Sequence, residues 1–222
     1  MAAAAWVYVV LQARSGMGGP ATGLLPFTFA WAVMMAAMML PSAAPVAALY
    51  VRSVAGSRLR LGAFTAGYLG VWAATAMPAY LVVTLGSEVA MKFGVGRLLA
   101  AAAFLLVAAY QLSPLKAHCL ARCRSPLSLF LEYAGYHGAL RDLRAGAHNG
   151  AYCVGCCWPL MLLLPVVGMM NLLVVVVLAT FVVAERNFAR GQTLSRLGAA
   201  TAAALAVAAL FLPELGFALV SM

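Results

Sequence analysis

Apolar positions in this chain fall into long unbroken runs, not into the one-sided stripes of a soluble helix. Leu24 to about Tyr50, Gly62 to Leu85, Val95 to Leu112 and Leu197 to Val220 each approach or exceed the ~20 apolar residues that a helix needs to cross a ~30 Å hydrocarbon core. Ala151 to Ala184 is a further long apolar stretch. Met1 to Gln12, MAAAAWVYVVLQ, is apolar but short, and predicts a clipped first span or an interfacial segment. It lacks the basic flank of a signal peptide, so no cleaved leader is expected. With 66% hydrophobic and 9% charged residues, the pattern predicts an all-α polytopic transmembrane bundle of about six or seven membrane segments, because helices satisfy their own backbone groups in lipid. Residues 1–222 read as a single integral membrane domain with an amphipathic cytoplasmic loop at 114–150.

Charge orients this bundle. A net charge of +9 suggests nucleic acid until its distribution is considered. Arg52, Arg58 and Arg60 share one connection, Lys116, Arg122, Arg124, Arg141 and Arg144 the next long one, and Arg186, Arg190 and Arg196 the last. Only Arg14, Lys92 and Arg97 fall on the other side. This imbalance follows the positive-inside rule, so the basic loops are expected in the cytoplasm; the expected partners are the lipid bilayer and a membrane or metal-chaperone protein, and no nucleic acid. That topology needs an even number of crossings between Arg144 and Arg186. One helix over 151–184 would be ~50 Å long and two would be ~24 Å each. Pro159, Pro165, Gly168 and Asn171 interrupt the run and favour a short hairpin or re-entrant pair over a single tilted helix.

Within the loop, Ser113-Pro114 predicts a helix start and Ser125-Pro126 a stop, enclosing PLKAHCLARCR. Leu115, Cys119 and Cys123 recur at i, i+4 and i+8, which sets them on an apolar face opposite Lys116, Arg122 and Arg124. A second amphipathic stretch, Leu127 to Arg144, places Phe130, Leu131 and Ala134 on one face beside His137. It ends in the glycine-rich RAGAHNGAY, where Asn149 is the expected cap of the next helix.

CVGCCW carries the candidate chemistry. Cys153, Cys156 and Cys157 stand at i, i+3 and i+4, so a helix sets all three sulfurs on one face, with Met161 one turn further on. At the expected helix start the dipole and free N–H groups would favour thiolates, which bind soft metals or attack disulfides. On the reducing cytoplasmic side, and with five cysteines, a disulfide framework is not expected. Cys119, Cys123, His118 and His148 belong to the same edge, and a loop docked on the hairpin would join both thiol clusters in one site with sulfurs ~4 Å apart. Thiolate with imidazole suits Zn(II), and thiolate with thioether suits Cu(I). WAVMMAAMMLP adds Trp31, Met34, Met35 and Met38 on one helical face, bordered by Met39, as a second candidate surface for a soft cation.

Packing explains part of this pattern. A methionine stripe in a membrane helix is more often filler than ligand, and His137 alone reads as a hydrogen-bonded or interfacial side chain. Two thiol clusters on one membrane edge are harder to explain so. Two rival functions fit the chain. One is a membrane thiol oxidoreductase using the C-x-x-C pair Cys153 and Cys156, with Cys157 or Cys119 as resolving thiol. The other is a structural accessory subunit, whose Ala- and Gly-rich helices permit close contacts. No flavin, quinone or ATP-binding motif is visible, no catalytic residue is assigned, and Glu88, Glu132, Asp142, Glu185 and Glu214 all fall near span edges.

WAVMMAAMMLPSAAP, GYLGVW, HCLARCRSPL, GAYCVGCCWPLM, and GMMN with the pair Glu185-Arg186 together resemble an uncharacterised bacterial family of predicted metal-binding integral membrane proteins, over about Leu24 to Arg190. CCWPLMLLLP is also similar to the paired cysteines in the first helix of mercuric-ion transport membrane proteins. The resemblance implies a multi-pass protein of the bacterial inner (plasma) membrane that binds metal through its Cys and His residues. The reading is a soft-metal site in metal transport, delivery or sensing, with copper favoured over zinc or mercury for the methionine content. Its ligands would be Cys119, Cys123, Cys153, Cys156 and Cys157, with His118, His148, Met34, Met35 and Met38 as further candidates.

Overall fold

The computed structural model describes residues 2–15, 23–53, 57–167, 171–188 and 190–211. Among these the regular structure is helical: α1 (Ala2–Ser15), α2 (Leu24–Ser53), α3 (Arg58–Ala74), α4 (Ala76–Phe93), α5 (Gly96–Gln111), α6 (Pro114–Cys123), α7 (Pro126–Ala134), α8 (Arg141–Val167), α9 (Leu172–Asn187) and α10 (Gly191–Phe211). Leu24–Arg52, Arg58–Phe93 and Gly191–Phe211 are long and apolar enough to cross a membrane, and a fourth span results if α5 and α6, bent by 64°, are one broken crossing. That is fewer than six or seven because apolar runs are divided into pieces as short as the 14 residues of α1 and the 16 of α9. Gly168, Glu214 and the end of the last apolar run at Val220 lie outside the described residues.

The 151–184 stretch is two helices folded back on each other. Arg186, near the end of α9, hydrogen-bonds Asn149 and Cys153 in the first half of α8, so the two run antiparallel. Asn171 caps α9, its side chain accepting from the amides of Leu173 and Val174 at 3.1 and 3.3 Å. Asn149 is no cap. It is fully buried inside α8, which begins at Arg141 and runs straight through the segment expected as a polar connection.

The glycines of that segment explain why it is helical despite their low helix propensity. Gly146 and Gly150 are one turn apart and face α3, whose Gly67 faces back. A Cβ on Gly146 would lie 1.9 Å from the Phe64 carbonyl oxygen, and one on Gly67 would lie 2.1 Å from that of Leu143. Only glycine permits this backbone approach, the small-residue packing common between helices in lipid. The crossing brings Tyr68 of α3 against Cys153 of α8. Pro159 inside α8 is also accommodated by a neighbour. Pro159 has no N–H for the Gly155 carbonyl, and the Tyr110 hydroxyl of α5 donates to it instead.

The basic connections meet at one end of the bundle. Arg60 pairs with Asp142 at 2.9 Å, Tyr50 donates to the same carboxylate, and Arg122 lies 3.7 Å from Glu132. Lys116 and Arg186 depart from the expected solvated loop cations: they are 1% and 3% exposed. Lys116 is buried because Glu185 of α9 lies 2.8 Å from its Nζ, with Gln111 and Ser195 completing the network. The buried face of α6 is therefore Lys116, Cys119, Leu120 and Cys123, while Leu115, expected on that face, is exposed. Ser125-Pro126 ends α6 and also starts α7, where Pro occupies the first turn. Leu129 and Tyr133 form the buried face of α7, and Leu131 is exposed. The side chains of Phe130 and Ala134 lie outside the described residues.

Candidate metal centre

Cys153, Cys156 and Cys157 lie about three turns into α8, beyond reach of its N-terminal dipole, which acts within the first turn. The expected dipole activation therefore does not operate. What does operate is the i, i+3, i+4 spacing. The three Sγ atoms lie within 4.8 Å of one another and all three side chains are buried. Three sulfurs at ~2.3 Å from one ion would sit ~4.0 Å apart, so small side-chain rotations close the site. The thiols of Cys156 and Cys157 donate to the Cys153 carbonyl at 3.1 and 2.9 Å.

Polar groups from two other helices, α3 and α9, meet Cys153, and α2 supplies further partners to both. The Tyr68 hydroxyl lies 3.1 Å from its Sγ and 3.2 Å from the Met39 carbonyl oxygen. The Arg186 guanidinium donates to the same Sγ at 2.9 Å, and also to Ser42 Oγ at 3.2 Å and Asn149 Oδ1 at 3.4 Å. Cys153 Sγ thus meets a fixed cation and a hydroxyl whose single proton it shares with the Met39 carbonyl oxygen.

The other sequence candidates fall into three groups. Cys119 and Cys123 are buried on α6, which packs over α8. A Cβ on Gly155 would lie 2.8 Å from Cys119 Sγ, so that glycine admits the sulfur beside the triad. Neither thiol belongs to the set of mutually close sulfurs, which among the described residues is Cys153, Cys156 and Cys157. Met34, Met35, Met38 and Met39 are buried in the same core as the cysteines, as is Met161. The histidines lie apart. His118 is exposed on α6, His137 is exposed, and His148 sits among Tyr133, Tyr136 and Tyr152, with its Nδ1 3.1 Å from the Tyr136 hydroxyl and 3.6 Å from Glu132.

Sequence reasoning counted Arg186 as a loop charge, took Asn149 for a cap and gave Tyr68 and Ser42 no role. One signal pointed to Arg186: the pair Glu185-Arg186 directly continues an apolar run that carries no other charge from Leu172 onward. Chemically, the arrangement offers three soft donors in a dry pocket, supported by a fixed positive charge. No curated protein and no solved structure matches this chain. A family described as a copper chaperone, PpoB2, matches residues 28–212, which include the α2 methionines, all five cysteines and Arg186. The soft three-sulfur cluster fits that description, and with most of its length matched the chain belongs to the PpoB2 copper chaperone family.

Proposed function

We propose that this protein is a multi-pass membrane protein that takes up Cu(I) on Cys153, Cys156 and Cys157 and delivers it to a partner protein. The observation that carries the reading is the buried triad, three sulfurs within 4.8 Å on one helix. Three soft thiolates without imidazole or carboxylate suit Cu(I), whereas Zn(II) takes four ligands. Cys119 and Cys123, on the helix packed over the triad, serve as exchange ligands between the buried site and the partner, and the buried methionines of α2 form a weaker thioether surface behind it. Convergence of the basic connections at one end supports an even number of crossings between successive basic connections, with those connections in the cytoplasm of a bacterial inner membrane.

The test is Cu(I) titration of the detergent-purified chain under anaerobic conditions, against a competing Cu(I) chelator. One tightly held copper is expected, lost in Cys156→Ser with Cys157→Ser. Bound copper should protect the triad from alkylation, and chelator should expose it. Protection that depends on oxidation and is relieved by reductant alone would refute copper binding in favour of a thiol oxidoreductase.

A further inference from the structure

Arg186 is a buried cation that has no acidic partner among the described residues. Among the described residues, no carboxylate lies within ion-pair distance of it; its neighbour Glu185 is engaged by Lys116 and Ser195. Its guanidinium reaches Ser42, Asn149 and Cys153, and its Nε has no hydrogen-bond partner. A guanidinium does not give up its proton, and an isolated ion in a dry core is costly unless something of opposite charge sits beside it. The only group of the triad that touches it is Cys153 Sγ, at 2.9 Å.

Copper loading supplies the missing charge. Two thiolates on Cu(I) carry a net charge of −1 and three carry −2, the protons leaving to solvent as the metal binds. We infer that Arg186 is the built-in counter-ion of the loaded site: it cancels one negative charge of the copper–thiolate unit and holds Cys153 through a charge-assisted hydrogen bond. The inference rests on the copper reading above. Arg186 does not touch the metal; it is a positioning residue that acts through Cys153. Its placement predicts opposite effects on the two states. In the empty protein it is an unmatched cation, and in the loaded protein it is half of a pair.

The experiment compares wild type, Arg186→Gln and Arg186→Lys by Cu(I) competition and by thermal unfolding of the metal-free protein. Arg186→Gln should lose Cu(I) affinity by about 100-fold or more, as for one partner of a buried ion pair. Its metal-free form should unfold at the same temperature as wild type or higher. Arg186→Lys keeps the charge and should bind within about tenfold of wild type. A residue that only holds the fold together would lower metal-free stability and affinity in both variants, and that result, or a metal-free Arg186→Gln that cannot fold, overturns the inference. Arg186→Gln affinity within about threefold of a copper-binding wild type overturns it alone. A wild type that holds no copper overturns the copper reading and the counter-ion together.

Discussion

The contact between α3 and α8 sets the distance from Tyr68 to Cys153, and Gly146→Ala tests it. A Cβ at residue 146 would lie 1.9 Å from the Phe64 carbonyl oxygen and 2.7 Å from its carbon, both backbone atoms that cannot swing aside as a side chain can. Restoring ordinary contact at 3.4 Å requires α3 to recede by about 1.5 Å. Tyr68 stands one turn beyond Phe64 on the same helix. If it moves with α3, its hydroxyl goes from 3.1 Å to roughly 4.6 Å from Cys153 Sγ, out of hydrogen-bond range. Overpacking of this kind costs about 1–3 kcal/mol, against a gain of up to ~1 kcal/mol in helix propensity from replacing glycine. Two further substitutions calibrate the result. At Gly150 the new Cβ would meet the Tyr68 carbonyl oxygen at 3.0 Å and the Val71 Cβ at 3.1 Å, a clash of only a few tenths of an ångström. At Gly62 it would meet nothing within 4 Å, so only the propensity gain remains. Thermal unfolding in one detergent should therefore rank Gly62→Ala at or above wild type, Gly150→Ala below it and Gly146→Ala lowest, with weakened copper retention in Gly146→Ala alone. Equal stability of Gly146→Ala and Gly62→Ala would refute the close crossing.

Three other expectations follow from named contacts. Lys116→Met strands Glu185 in the core and should cost about 3–5 kcal/mol, whereas adding Glu185→Leu should restore most of the loss; additive losses in a double-mutant cycle would show that the two charges are not paired. The Arg60 guanidinium beside Asp142 holds that carboxyl below the usual carboxylate range, so its stabilisation is full above the unfolded value of about 3.9 and disappears as pH falls through the lower folded value. Asp142→Asn should accordingly unfold earlier than wild type near neutral pH, with the gap closing in strong acid, and a gap that widens there would contradict the ion pair. Cys119→Ser should lose less copper than Cys156→Ser, because Cys119 stands outside the set of mutually close sulfurs; equal losses would make it a full ligand of the shared site expected from spacing.

What was legible in the sequence is what depends on one helix at a time. The apolar runs mark the helices, and i, i+3, i+4 spacing by itself puts three sulfurs together, wherever on the helix the motif falls. The errors in the loop and around the site involve a partner supplied from elsewhere in the chain. Lys116 reads as solvent-facing by charge, yet an acid 69 residues further on draws it into the core and turns the buried face of α6 by one position, leaving Leu115 outside. RAGAHNGAY reads as a connection because glycine and asparagine disfavour helices, but its glycines are where α3 lies against α8 and its asparagine is where α9 returns. The same rule applies to the site. Sequence spacing finds the three sulfurs, which share a helix, and misses Tyr68 and Arg186, which reach Cys153 from two other helices, and Ser42, which reaches Arg186 from a third. Arg186 among them brings the positive charge beside the sulfurs, so the electrostatics of the cluster depend on the part of it that local pattern cannot reveal.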